Sequence, residues 1–122
     1  MKRYIKTASI FGMANLNPQK SGLGNIIIWA DHSGITRSAS HRNTPRVKLG
    51  IDEDSISVSI SPEPKVLAKS SKVTSKDVAK FRPGIEYVAR NWDIFLKHYT
   101  DVDFSFDDED LFNALRSKGE YR

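Results

Sequence analysis

Residues 41–64 read HRNTPRVKLGIDEDSISVSISPEP, and the alternation of polar and apolar side chains within them predicts two β-strands. The strands are expected over residues 46–51 and 55–60, and the acidic run 52–54 supplies the turn between them. Strands joined by so short a turn pair antiparallel, so the pattern predicts a hairpin with one apolar face and one polar face. The inward positions would be Val47, Leu49, Ile51, Ile56, Val58 and Ile60.

A third strand is predicted over residues 26–30, IIIWA, where consecutive apolar residues indicate burial on both faces or a central place in a sheet. Residues 12–25 are rich in Gly and Asn and read as a loop. A further strand over residues 3–10 could join the sheet. The sequence therefore predicts a small antiparallel sheet of three to four strands.

A long helix is predicted over residues 74–99, where apolar residues recur every three or four positions along one side. Pro83 lies inside the pattern, so one kinked helix and two helices that divide near Pro83 both stay open. Trp92 lies in the middle of the apolar stripe and is expected to be a central core residue. The stripe consists of Val78, Phe81, Ile85, Val88, Trp92, Phe95 and Tyr99.

A short final helix is predicted over residues 105–118, with a capping-box pattern and acidic residues in its first turn and Gly119 after its end. Together these elements predict one α+β domain over residues 1–122. Residues 1–25 would form an N-terminal element and loop, residues 26–64 the sheet, and the two helices would pack on it.

The charge of the chain is unevenly distributed. Lys and Arg number 19 and Asp and Glu 15, but residues 1–50 carry eight basic residues and one acid. A basic surface of this kind attracts a polyanion or an acidic protein surface. The chain has no cysteine, which excludes disulfides and thiolate metal sites. Because the sequence has no long apolar run, it predicts a soluble cytoplasmic protein that contacts no membrane. The sequence also indicates no cofactor.

The candidate binding site combines the polar connection at residues 31–45 with the polar face of the hairpin. A connection of this length without secondary structure is commonly functional. Alternation along the strand places its two cations on one face, and the loop brings other donors beside them. The predicted binding residues are Arg37, His41, Arg42, Asn43, Arg46 and Lys48, with no catalytic or metal-binding residue among them.

Two other side chains leave alternatives open. His32 and His41 could form the acid–base pair of a metal-independent ribonuclease, although His41 is better explained as a hydrogen-bonding partner of the turn near Pro45. Trp29 could stack on a nucleic-acid base at the sheet surface, but packing against the long helix is the favoured interpretation.

From residue 26 onward the chain resembles a group of short uncharacterised bacterial and phage proteins. The resemblance is carried by HRNTPRVKL (41–49), VSISPEP (58–64) and NWDIFL (91–96). The group is similar to small families encoded beside toxin–antitoxin genes, and the resemblance implies a compact α+β fold in a mobile-element or defence setting. Where the related strand motif has a pair of histidines, this chain has Arg46 and Lys48, so the resemblance carries over no metal site.

The function predicted from these features is a non-enzymatic binding module of a mobile-element, phage or regulatory system. It would engage nucleic acid or a nucleic-acid-handling protein complex, for example as the inhibitor of a defence complex. The small ribonuclease toxin is the second hypothesis, and a structural or oligomerising protein, including a homo-oligomer, is the third.

Overall fold

The computed structural model of the chain describes residues 14–31, 44–101 and 103–122. Within these ranges five strands form one sheet: β1 Ala14–Leu16, β2 Ile27–Ala30, β3 Arg46–Ile51, β4 Asp54–Ser59 and β5 Val66–Lys69. The helices in the same ranges are α1 Pro18–Ser21, a 3-10 helix over Asp77–Phe81, α2 Arg82–Arg90, α3 Trp92–Tyr99 and α4 Asp108–Ser117. The α+β fold class predicted from the sequence is confirmed.

The strands run antiparallel in the order β1-β2-β3-β4-β5, so each strand pairs with its neighbours in the chain. The predicted hairpin is present as β3 and β4, and Ile51 pairs with Asp54 across a turn in which Asp52 has a φ of 53°.

The prediction of three to four strands is wrong, because the described residues contain five. The two additional strands, β1 and β5, have three and four residues, too few for alternation to be recognised in the sequence. The suggested strand over residues 3–10 lies outside the described residues.

One face of the sheet, hereafter the inner face, carries the core. Its side chains point toward the 3-10 helix, α2, α3 and α4, and the two layers share a single hydrophobic cluster. The sheet supplies Leu16, Ile28, Val47, Leu49, Ile56 and Val58, and the helical layer supplies Phe81, Tyr87, Val88, Phe95, Leu111 and Leu115, all essentially without solvent exposure. The fold is thus a two-layer sandwich of one sheet and one helical layer.

The structure does not confirm one long helix over residues 74–99. Thr74 and Asp77 exchange the hydrogen bonds of a capping box, but they open a 3-10 helix that gives way to α2 at Arg82. A second break falls at Asn91, which has φ −120° and ψ 23° and is fully buried. Its side-chain amide donates to the carbonyl oxygen of Tyr87 at 3.0 Å, a bond of the kind by which Asn competes with helix continuation.

The buried side of the helical layer agrees only in part with the stripe read from the sequence. Phe81, Val88, Phe95 and Tyr99 are buried on both sides of the break at Asn91. Trp92 is only partly buried, whereas Tyr87, which is outside the stripe, is fully buried. The prediction of Trp92 as a central core residue is therefore wrong.

The final helix, α4, begins at Asp108 and not at residue 105. Asp107 is its N-cap and forms a capping box with Asp110, and three acidic residues occupy its first turn as predicted. Gly119 follows its C-terminus with a φ of 76°, a conformation that glycine adopts without strain.

The C-terminal tail after α4 is tied back to the rest of the fold. Tyr87 donates its phenolic hydrogen to the Glu120 carbonyl at 2.6 Å, and the Arg90 guanidinium donates to the Glu120 carboxylate at 2.9 Å. The ring of Tyr121 stacks on Phe112 with centroids 5.2 Å apart. Across residues 14–31, 44–101 and 103–122, no helix is long and apolar enough to cross a membrane.

Candidate binding surface on the outer sheet face

The face of the sheet opposite the core, hereafter the outer face, is mainly polar, with apolar side chains at two positions on β2 and one on β5. Because strand residues alternate in direction, every residue between two inward-facing residues points to this side. The outer face is formed by Asn15, Ile27, Trp29, Arg46, Lys48, Ser55, Ser57, Ser59 and Ala68, and all of these are partly or well exposed.

Trp29 lies on the outer face and not against the helices. Its neighbours Ile28 and Ala30 are the buried residues of β2, and Trp29 itself is registered opposite Lys48 on β3. Its indole ring extends over Gly50, where an added Cβ atom would overlap the ring carbons Cζ3 and Cη2. The favoured expectation that Trp29 packs against the long helix is wrong, because β2 alternates between the two faces.

Gly50 thus provides the space that the indole ring occupies. Any side chain at position 50 would point to the outer face and occupy that space. The Lys48 ammonium lies 5.5 Å from the ring centroid, within the range of a cation–π interaction. The outer face therefore presents an aromatic surface directly beside an exposed positive charge.

Arg46 is the second cation of the outer face and is held more firmly than Lys48. It is partly buried, lies opposite Ser59, and donates from Nε to the carbonyl oxygen of Thr44 at 3.4 Å. It also acts on the far end of α3: burial raises the pKa of the Tyr99 phenol and the charge of Asp31 adds to this, whereas Arg46 opposes it. The charge of Arg46 therefore acts on the end of α3 as well as on the outer face.

Hydroxyl groups cover the part of the outer face nearest β5. Ser57 on β4 lies between Lys48 on β3 and Ala68 on β5. Ser55 lies farther along β4, and Ser70 directly follows β5. The backbone N–H of Ser55 donates to the Ser70 hydroxyl at 3.1 Å. A shallow cleft of about 180 Å³ runs between these serines. Serine hydroxyls both donate and accept, so this strip can bind phosphate, sugar or amide groups.

The predicted site residues are only partly described. Arg46 and Lys48 share the outer face, as alternation along β3 predicted. Arg37, His41, Arg42 and Asn43 lie outside the described residues, and so does His32. The continuous patch that would join Arg37 and Arg42 to β3 therefore stays a prediction.

Trp29 and Gly50 are not among the site residues predicted from the sequence, although stacking of Trp29 on a base was one of the alternatives. Consecutive apolar residues over 26–30 indicate burial on both faces or a central place in a sheet, and this conceals the alternation that places Trp29 outside. The signal that could have identified it is a glycine on the neighbouring strand within reach of a tryptophan, because a strand glycine often marks a close approach of another group.

One polar contact within the helical layer was not predicted from the sequence. His98 is fully buried on α3, and its Nε2 lies 2.8 Å from a carboxylate oxygen of Asp108, a partly buried residue at the start of α4. This contact joins two helices of the inner layer and is far from the outer face in the fold. No group of three or more metal-ligating side chains that could hold an ion occurs in the part of the chain that the structure describes.

Comparisons with protein-family models, with curated proteins and with solved structures found no match to this chain. The resemblance to small phage and toxin–antitoxin-associated proteins therefore stays a prediction, and the function has to be argued from the outer face itself.

Proposed function

We propose that the protein is a non-enzymatic binding module whose outer sheet face binds single-stranded nucleic acid. The observation that carries the proposal is the Trp29 ring lying over Gly50 with the Lys48 ammonium 5.5 Å from its centroid. This places an aromatic surface and a cation at neighbouring positions on two paired strands.

A partly exposed indole ring on the sheet surface suits the stacking of an unpaired base. Every base has a π-face, and stacking on an aromatic side chain contributes about 1–3 kcal/mol per base. In a duplex the base faces are already stacked on one another, so the same surface favours single strands. Gly50 supports this role because it lets the ring lie on the sheet instead of standing away from it.

The cations and hydroxyls beside Trp29 suit the sugar–phosphate backbone. Lys48 is exposed and can exchange its contact with the indole ring for a phosphate. Arg46 lies two residues away on the same face, and the serines of β4 lie opposite both cations. Phosphate contacts of this kind supply most of the affinity in binding without sequence preference and make it dependent on salt.

The alternative is that this protein uses its outer face to occupy the nucleic-acid site of another protein complex. An inhibitor of a defence complex would act in this way. Such a role also uses the outer face but replaces the oligonucleotide with a protein partner. The experiment below separates the two, because only direct binding gives an oligonucleotide signal that depends on Trp29.

The test is fluorescence anisotropy with labelled oligothymidine and oligouridine of about 12 nucleotides, measured at several salt concentrations, with a duplex for comparison. Trp29→Leu should weaken binding about tenfold, whereas Trp29→Phe should retain most of it because a phenyl ring still stacks. Lys48→Ser should weaken binding and reduce the magnitude of the salt slope by about 0.7.

Arg82→Ser is the matched control, because Arg82 is an exposed cation on α2 in the helical layer. It should leave binding nearly unchanged. Equal losses for Arg82→Ser and Lys48→Ser would mean that only the net charge attracts the oligonucleotide. Failure of the parent protein to bind any single strand at low salt would contradict direct nucleic-acid binding.

The ribonuclease hypothesis rests on His32 and His41, which the structure does not describe. The same mixtures, incubated in EDTA and resolved on a denaturing gel, test it. We expect intact RNA, because the proposed surface offers stacking and charge but no acid–base pair among its described residues. Cleavage that His41→Asn abolishes would favour the ribonuclease.

A further inference from the structure

The edge of the sheet formed by β5 is exposed along its whole length. All four residues of β5 are exposed, and two of them are the large apolar residues Val66 and Leu67, exposed by 40% and 37%. The pairing of β4 with β5 is irregular at Val58, so the edge is bent. β5 pairs with β4 on one side only, and among the described residues no strand lies on its other side.

An apolar groove lies beside this edge. It has a volume of about 390 Å³ and is lined by Val66, Leu67, Ala68, Lys69, Ser75 and Val78. Val78 belongs to the 3-10 helix and packs on the core, so the groove lies between the edge strand and the helical layer. An unpaired strand edge next to an apolar groove is the arrangement that an extended peptide occupies when it adds a strand to a sheet.

Exposed lysines lie at the groove and beside it in the chain. Lys69 lines the groove, Lys65 directly precedes β5, and Lys76 lies between the groove residues Ser75 and Val78 in the sequence. Lys72 borders a separate cleft with Glu53 and Asp54. No ion pair joins any of them to a carboxylate within residues 14–31, 44–101 and 103–122. The nearby Asp77 is occupied by hydrogen bonds to Thr74, and Lys80 is paired with Asp54. The groove therefore has an unbalanced positive rim.

We infer that the β5 edge binds an extended acidic peptide segment of a partner protein as a sixth strand. The backbone of the peptide would pair with the free side of β5, its apolar side chains would enter the groove beside Val66 and Val78, and its carboxylates would reach the lysines. This site uses neither Trp29 nor Lys48, on which the function proposed for the outer face rests, although Ala68 and Lys69 border both the groove and the serine cleft.

Two other occupants fit less well. In antiparallel pairing of β5 with a second copy of itself centred on Leu67, Lys65 of one copy would face Lys69 of the other, and like charges directly opposite destabilise a strand pair. A nucleic acid would use the lysines but not the strand edge or the groove, and none of the side chains that line the groove is aromatic.

The experiment uses a labelled peptide of about seven residues in which Glu and Val alternate, a matched peptide of alternating Lys and Val, and the Glu–Val peptide with a central proline. Amide NMR shifts of the full chain should move at Lys65–Lys69 with the Glu–Val peptide only. Proline should abolish the effect, because it removes a backbone donor and disfavours strand pairing. Binding of the Lys–Val peptide as tightly, or equal binding of the proline peptide, would overturn the inference.

Charge reversal sharpens the test. The double variant Lys65→Glu with Lys69→Glu should bind the Glu–Val peptide about tenfold more weakly than the parent protein does, and the Lys–Val peptide more tightly. The matched control, Lys20→Glu with Lys118→Glu, changes the net charge equally on α1 and after α4, and should weaken binding less than about twofold at physiological salt. Circular dichroism confirms that both variants are folded.

Three further results would overturn the inference. The first is that the Glu–Val peptide does not bind at about 1 mM. The second is that the free protein is a dimer and that the Lys65→Glu, Lys69→Glu variant is a monomer. The third is that this variant abolishes oligonucleotide binding while Trp29→Leu leaves it intact. The second would assign the edge to a copy of this chain and the third to a nucleic acid.

Discussion

The inner and outer faces of the sheet are built from the same strands, yet they depend on different physical terms. On β2, Ile28 is fully buried in the core, whereas the adjacent Trp29 is partly exposed and rests on a glycine. The inner face is stabilised by the removal of apolar area from water, which is large and needs no particular partner. The outer face depends on one fitted contact between Trp29 and Gly50. Stability should therefore respond mainly to the inner face, and binding mainly to the outer face.

The largest expected effect comes from Phe95→Ala on the inner face. Phe95 is 1% exposed and packs against the Tyr87 ring with centroids 6.2 Å apart, so truncation should lower the free energy of unfolding by about 3–5 kcal/mol. Urea unfolding followed by circular dichroism measures it. Trp92→Ala is the comparison, and it should lower the same quantity by only about 1–2 kcal/mol because Trp92 is partly exposed. Equal losses for the two variants would mean that Trp92 belongs to the core.

An intermediate effect is expected from Gly50→Ala on the outer face. The new methyl group overlaps the Trp29 ring, so the ring must move and the free energy of unfolding should fall by about 1–2 kcal/mol. In a Trp92→Phe background the emission of Trp29 should shift to the red as the ring becomes more exposed. Oligonucleotide binding should weaken in parallel.

A double-mutant cycle identifies the cause of that loss. In a Trp29→Ala background the ring is absent, so Gly50→Ala should become neutral or slightly stabilising, since alanine restricts the unfolded chain. A loss at Gly50 that persists without Trp29 would show that position 50 is sensitive for a reason other than the indole ring.

The smallest expected effect concerns the polar tie that fastens the C-terminal tail to the helical layer. The hydrogen bond from Arg90 holds the pKa of the Glu120 carboxyl below its usual value. A depressed carboxyl pKa stabilises the fold above the unfolded pKa, and this contribution is lost as the pH falls through the lower, folded pKa. Glu120→Gln should therefore lower stability by about 0.5 kcal/mol at neutral pH and by nearly nothing in strong acid, measured by urea unfolding across that range.

The same titration separates the two faces. The strand residues of the outer face include no carboxylate, and Trp29 is registered opposite Lys48, so the emission of Trp29 in a Trp92→Phe background should stay constant while the Glu120 contribution disappears. A change in Trp29 emission at the same pH would show that the tail and the outer face are coupled through the sheet.

Much of the sheet could be predicted from the sequence, and the helices less so. The β3–β4 hairpin was predicted correctly because its two segments carry six alternating apolar residues, and only one register buries all six on the same face. The short strands β1 and β5 were missed because pairing with a neighbour, and not their own pattern, makes them strands. The break at Asn91 was missed because it depends on a buried amide that the apolar period does not reveal.

The sequence by itself determined the inner face: the α+β class, the central hairpin and most of the core follow from period and alternation, which are local properties of the chain. It also placed Arg46 and Lys48 on the same side of β3, for the same reason. Only the tertiary structure decided what surrounds them. The position of the Trp29 ring over Gly50, the exposed β5 edge beside its groove and the contact between His98 and Asp108 each join residues from separate elements. Such contacts depend on strand order and helix placement, which the packing of the whole chain selects and no short stretch of sequence encodes.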